Sequence, residues 1–77
     1  MNQRMARPDG PEIERLREEK GWSRVQLGEL VAVGRSSIYH IEHGRPVKVS
    51  TLWLIASVLG VPAQDITASD ASDRISA

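Results

Sequence analysis

Arg35, Ser36, Tyr39, His40 and His43 fall on one side of a helix drawn at about 100° per residue, while Ser37, Ile38 and Ile41 fall on the other. A guanidinium, a hydroxyl, a phenol and two imidazoles on one helical face can donate and accept hydrogen bonds along the edges of nucleic-acid bases. Arg35 stands at the start of that helix. There an α-helix in the major groove comes nearest the bases, and arginine can donate two hydrogen bonds to guanine O6 and N7. The alternative for Arg35 is a solvated surface charge. Tyr39 can offer its hydroxyl to a phosphate or its ring to a thymine methyl, or it packs over the helix surface. His40 and His43 are spaced i, i+3, as a metal pair would be, but no third ligand accompanies them and a closed zinc site needs about four. No metal or cofactor is expected. Neither a nucleophile-base-orienter set nor a glycine-rich phosphate loop appears, so no enzyme activity is expected.

These residues need elements to hold them. The segment GWSRVQLGELVAVGRSSIYHIEHG, Gly21 to Gly44, reads as two short helices joined by a tight turn, the shape of a DNA-reading module. Ser23 can cap the first backbone amides, Gln26 can return the hydrogen bond, and Trp22 and Leu27 can staple the start of the helix. The expected helix, 23–31, carries Leu27, Leu30 and Val31 at core spacing, with Gly28 leaving room for a close helix-helix approach. The reader helix is expected over 35–43, ending at Gly44.

An earlier helix, 11–20, begins at Pro11, turns Ile13, Leu16 and Arg17 inward, spaces Glu14 and Glu18 to pair along its outer face, and ends at Gly21. Arg45, Pro46 and Lys48 link the reader to a helix over 48–59 with a core stripe of Leu52, Ile55, Ala56 and Leu59. Val49 to Gln64 contains no charged residue, so the reverse side, with Leu54, Ser57, Val58 and Val61, is also apolar enough to seek burial. A last short helix, 62–67, starts at Pro62 with Asp65 in its first turn and Ile66 inward. The domain therefore spans 11–67, between a flexible basic arm (1–10) and a flexible tail (68–77). Phosphate contacts are expected from Ser23 and Arg24 at a helix start, where amides favour an anion, and from His43, Arg45 and Lys48 after the reader. For the basic residues among them, generic surface charge is the alternative.

A chain of 77 residues allows one domain. A domain of this size buries about 60 to 65% of the surface its unfolded form exposes, so a partner would help to stabilise it. The absence of cysteine excludes disulfides and thiolate metal sites. No apolar run approaches the roughly 20 residues needed to cross a bilayer, and the start of the chain lacks an apolar signal core. A cytoplasmic protein is expected, with no membrane partner. Ten basic and ten acidic residues cancel overall, but residues 21–48 hold four basic against two acidic, and residues 49–77 one against three. The positive excess lies on the helix pair.

LREEKGWS, QLGEL, GRSSIYHIEHG and LIASVLGV, together with the spacing from Ser23 through Leu27, Val33, Ile38, Ile41 and Glu42 to Gly44, resemble the phage repressor and Cro (Xre) helix-turn-helix family over about Ile13 to Ile66. The resemblance implies an all-α, five-helix, lambda-repressor-like domain whose recognition helix enters the major groove. It also implies a twofold dimer on a pseudo-palindromic operator. Ser36 and His40 fall at positions that commonly reach bases in that family. Arg17 and Glu42 fall where the family often joins its first helix to the end of the recognition helix, implying a structural pair.

Two residues depart from the pattern. Ala32 stands where the family usually has a left-handed glycine, and Gly34 where it usually has a Ser or Thr cap. Either Ala32 is strained by about 1 kcal/mol or the left-handed residue has moved to Gly34. Trp53 and Leu54 replace side chains that are more often polar, so they and Val58, with Ser57 and Val61 beside them, form the expected dimer surface. Trp53 alternatively covers the core from the side. One helix face falls short of the roughly 800 Å² per partner of a stable interface, so the last helix or the tail should contribute. Arg4 and Arg7 either follow DNA into the minor groove or belong to a disordered leader.

The reading as a whole is a bacterial or phage-encoded regulator of transcription, on the nucleoid when bound, repressing by promoter occlusion. The competing reading is an antitoxin-like module that binds another protein through the apolar face of 48–59, with DNA binding secondary.

Overall fold

Ser23 closes the capping box that its sequence promises: its Oγ accepts from the Gln26 amide at 3.1 Å, and its own amide donates to Gln26 Oε1 at 2.8 Å. The computed structural model, which describes residues 4–68, places this cap at the start of α2, Arg24–Val31. The other helices are α1 (Gly10–Glu19), α3 (Arg35–Glu42) and α4 (Val49–Leu59). Their bounds lie within about one residue of the expected ones, as helix ends fray.

The expected fifth helix is a single 3-10 turn, Ala63–Ile66, and the fold is not purely helical. Two short strands, β1 (Met5–Ala6) and β2 (Val47–Lys48), pair antiparallel with Met5 opposite Lys48 and Ala6 opposite Val47. Arg4 to Gly10 are therefore part of the fold, which corrects the expectation of an arm there. The Arg4 carbonyl accepts from the Val49 amide, Asp9 donates its amide to Ile66, and Ala68 donates to Arg7. Asp9 also caps α1 by accepting from the Glu12 amide at 3.3 Å. The segment thus laces β2 to the 3-10 turn. Residues 1–3 of the expected arm and 69–77 of the expected tail lie outside the described residues.

Ile13 and Leu16 of α1, Leu27 and Val31 of α2, Ile38 and Ile41 of α3, and Leu52, Ile55, Ala56 and Leu59 of α4 meet in one core closed by Val47 and Ile66. Two expected core residues are outside it. Leu30 is 51% exposed, because Leu27, Gly28 and Val31 occupy an arc of about 100° and Leu30 falls about 60° beyond its edge. Ser37 is exposed for the same reason on α3, whose buried arc is centred on Ile38, Ile41 and Glu42. On the outer side of α1 the short pairs are made by Arg15, which reaches Glu12 and Glu19 at 2.6 Å each, while Glu14 and Glu18 pair more loosely, with Arg24 at 3.8 Å and Arg17 at 3.9 Å. Hydrogen bonding to Arg15 holds the Glu12 carboxyl below its usual range.

The turn between α2 and α3 settles the register. Ala32 is left-handed at φ 62°, and Gly34 is extended at φ −77°, so the strain falls on Ala32 and α3 starts at Arg35. Gly28 faces that turn: a Cβ there would lie 2.5 Å from the Val33 carbonyl oxygen. The tight turn, rather than a facing helix, is what requires glycine. Gly10 has the same role against the Glu42 carbonyl and brings α1 onto the end of α3.

Candidate nucleic-acid interface

Arg35 is the first residue of α3 and Arg24 the first of α2, so the two helix starts bring their guanidinium groups to one surface. Ser23, Arg24, Arg35, Ser36, Tyr39 and His40 line a cleft of about 680 Å³ between the helices. Arg35, Ser36, Tyr39 and His40 are exposed, and the α3 residues behind them, Ile38 and Ile41, are buried. The four proposed base readers thus share one open face. Val25, 42% exposed, lines the same cleft and was missed; its place just inside the Ser23 cap was the available signal.

A second, smaller cleft of about 350 Å³ lies beyond His40, and Arg45 and Lys48 line it with Ser37 and Met5. Cations therefore flank the exposed face of α3 on both sides, Arg24 on one and Arg45 and Lys48 on the other. Lys48 takes part in β2 and precedes α4, so its backbone is fixed by the strand pair. His43 is exposed but engaged: its ring stacks on Tyr39 with centroids 4.1 Å apart, and Nδ1 bonds the Tyr39 carbonyl at 2.8 Å. A carbonyl only accepts, so Nδ1 carries the proton. His40 meets the same tyrosine ring edge-on at 5.4 Å. Among the described residues no group of three or more His, Cys, Asp or Glu converges on a point.

Beneath this face is the buried pair of Arg17 and Glu42. Arg17 Nε donates to Glu42 Oε2 at 2.6 Å, Nη2 to Oε1 at 3.3 Å, and Nη1 to the Trp22 carbonyl at 2.8 Å. The Glu42 side chain has no exposed surface and that of Arg17 only 7%. Hydrogen bonding to Glu42 raises the Arg17 pKa further above its ordinary value. The pair ties the last turn of α1 to the end of α3. Arg24 joins it, with Nε donating to Glu42 Oε1 at 2.9 Å, so Arg24 is not the purely outward-facing residue that its place at a helix start suggests.

On α4, Trp53 is 65% and Leu54 52% exposed, and Ser57 is exposed with them. Val58 and Val61, expected on the same surface, are half-buried against the core. Trp53, Ser57 and Val61 border a groove of about 690 Å³ that continues to Ala63 and Thr67.

The helix-turn-helix family matches residues 13–66, which contain every α-helix except the first three residues of α1. The chain belongs to the Xre-type helix-turn-helix family. Among Xre-type and other helix-turn-helix proteins, the transcriptional regulator RamB of Mycobacterium tuberculosis is 34% identical over 62 residues, covering 79% of this chain and 13% of RamB. This chain thus spans a small part of that relative's length. The structure of SinR, the master biofilm regulator of Bacillus subtilis, in complex with DNA superposes with a TM-score of 0.66 at 30% identity, covering 71% of this chain and 90% of that one. A complex of SinR with SinI gives a TM-score of 0.72 at 26% identity, covering 88% and 68%. No helix among the described residues is long and apolar enough to cross a membrane.

Proposed function

We propose that this Xre-type domain is a sequence-specific, double-stranded DNA-binding regulator of transcription that inserts α3 into the major groove. The observation that carries this reading is the shared open face of Arg35, Ser36, Tyr39 and His40 at the start of α3, beside the capped start of α2. Arg35 reads guanine, Ser36 and His40 hydrogen-bond neighbouring base edges, and Tyr39 meets a thymine methyl or a phosphate. Ser23 and the amides at the start of α2 hold one flanking phosphate run, and His43, Arg45 and Lys48 hold the other. The family membership and the likeness to SinR on DNA support the same placement.

A homodimer formed through Trp53, Leu54 and Ser57, with Val58 and Val61 at its margin, binds a pseudo-palindrome whose half-sites lie about 34 Å apart or a multiple of that. It represses by occluding a promoter, in the cytoplasm and on the nucleoid. Selection of bound duplexes from a random pool tests this reading. A recovered inverted repeat supports it, and recovery of unenriched sequence rejects it.

A second reading has its own observation. Trp53 and Leu54 are exposed beside an apolar groove, and SinR is seen in complex with the protein SinI. On that reading α4 binds a different protein, antitoxin-like, and DNA binding is secondary.

A further inference from the structure

One guanidinium touches all three of the helices that build the reading face. Arg24 on α2 donates Nε to Glu42 at the end of α3 at 2.9 Å, lies 3.8 Å from Glu14 of α1 through Nη2, and holds its Cζ 5.2 Å from the centroid of the Tyr39 ring. Its side chain is one-third exposed. Glu42 already has an arginine partner in Arg17, bound through both carboxylate oxygens, so Arg24 is not needed to neutralise it. What Arg24 adds is a link from that buried, fixed carboxylate to an exposed aromatic ring. A planar guanidinium can hydrogen-bond through Nε while its plane faces a ring, whereas an ammonium is a point charge with no plane to set the ring's orientation.

We infer that Arg24 is a positioning residue for Tyr39, setting sequence preference through the orientation of that ring rather than acting as one more phosphate contact. The inference rests on the proposed DNA reading and refines it. A phosphate ligand at this place would contribute equally to every sequence and add about one counterion to the salt dependence. A positioning residue acts at one base pair.

The test compares the full chain with Arg24→Lys and Arg24→Ala, each checked for fold by circular dichroism. Binding is measured to the selected duplex and its single-base variants across a salt series, and the Tyr39 ring signals are followed by NMR without DNA. Arg24→Lys keeps the charge, so it should keep the salt slope while losing about two- to fivefold of discrimination at the base pair that Tyr39→Ala also flattens. Tyr39 ring signals should shift in both Arg24 variants. If Arg24→Lys retains wild-type preference while Arg24→Ala weakens every sequence alike and lowers the slope by about one, Arg24 is a phosphate ligand and the inference is overturned. Unmoved Tyr39 signals overturn it as well. Failure of the wild-type chain to select any duplex rejects the DNA reading itself, and the specificity role with it.

Discussion

Arg35 and Glu42 stand at opposite ends of α3 and do opposite work. Arg35 is exposed at the helix start, with no buried partner among the described residues, so Arg35→Ala should leave stability within about 0.5 kcal/mol. It should remove about 1 to 3 kcal/mol of discrimination at one base pair, seen as loss of preference there in competition with single-base variants. An unchanged preference takes Arg35 out of the reading set. Glu42→Ala should do the reverse. It strands the buried Arg17 guanidinium, a change that costs about 3 to 5 kcal/mol, to be measured by urea unfolding. The contribution of Arg17 does not titrate near neutrality. Its pKa is raised in the folded state, so its stabilisation is full below the ordinary arginine value and is lost only as pH rises past the raised one. The Arg17 and Glu42 positions were legible through family resemblance. The bond from Arg24 was not, because 18 residues separate it from Glu42 and only the packing of α2 on α3 closes that distance.

The helices are set by local chemistry. The capping box at Ser23 and the helix ends at Gly21, Gly44 and Gly60 depend on neighbours within a few residues, and the helices follow from them. Strands β1 and β2 have two residues each, too short to show a period of two, and their pairing joins positions about 40 apart, so no sequence pattern announced them. Leu30 failed for a different reason: it matched a spacing rule, but the helix has a direction of burial that spacing does not give. Ala32 left two possibilities open, and the observed left-handed backbone decides between them. Ala32→Gly should therefore stabilise the domain by about 1 kcal/mol, because glycine has no Cβ to clash there. That gain corresponds to a rise of about 4 to 8 °C in Tm for a domain of this size, read by calorimetry. A fall in Tm would mean that the extra freedom of glycine in the unfolded chain outweighs the relief of strain.

The whole molecule has a neutral charge balance and an uneven surface, with cations around α3 and an uncharged α4. The sequence disclosed that division, since charge can be counted by segment without knowing the fold. It did not disclose that Val58 and Val61 are partly taken up by the core, which narrows the free apolar surface of α4 to Trp53 and Leu54, with Ser57 beside them. So small a patch, with the groove beside Val61 and Ala63, would make the proposed self-association weak to moderate. Leu54→Glu tests this directly. The side chain is half exposed and absent from the buried core, so a charge there should leave helicity and Tm nearly unchanged. In a dimer it would place two carboxylates against each other across a twofold axis in an apolar contact. Sedimentation should then shift to monomer. Binding to a complete inverted repeat should weaken far more than binding to a single half-site, because the loss removes the link between two readers and not the reader itself. Should the variant remain dimeric, α4 is not the contact between copies. Should wild type prove monomeric with α4 open, the reading of this face as a surface for a different protein is favoured.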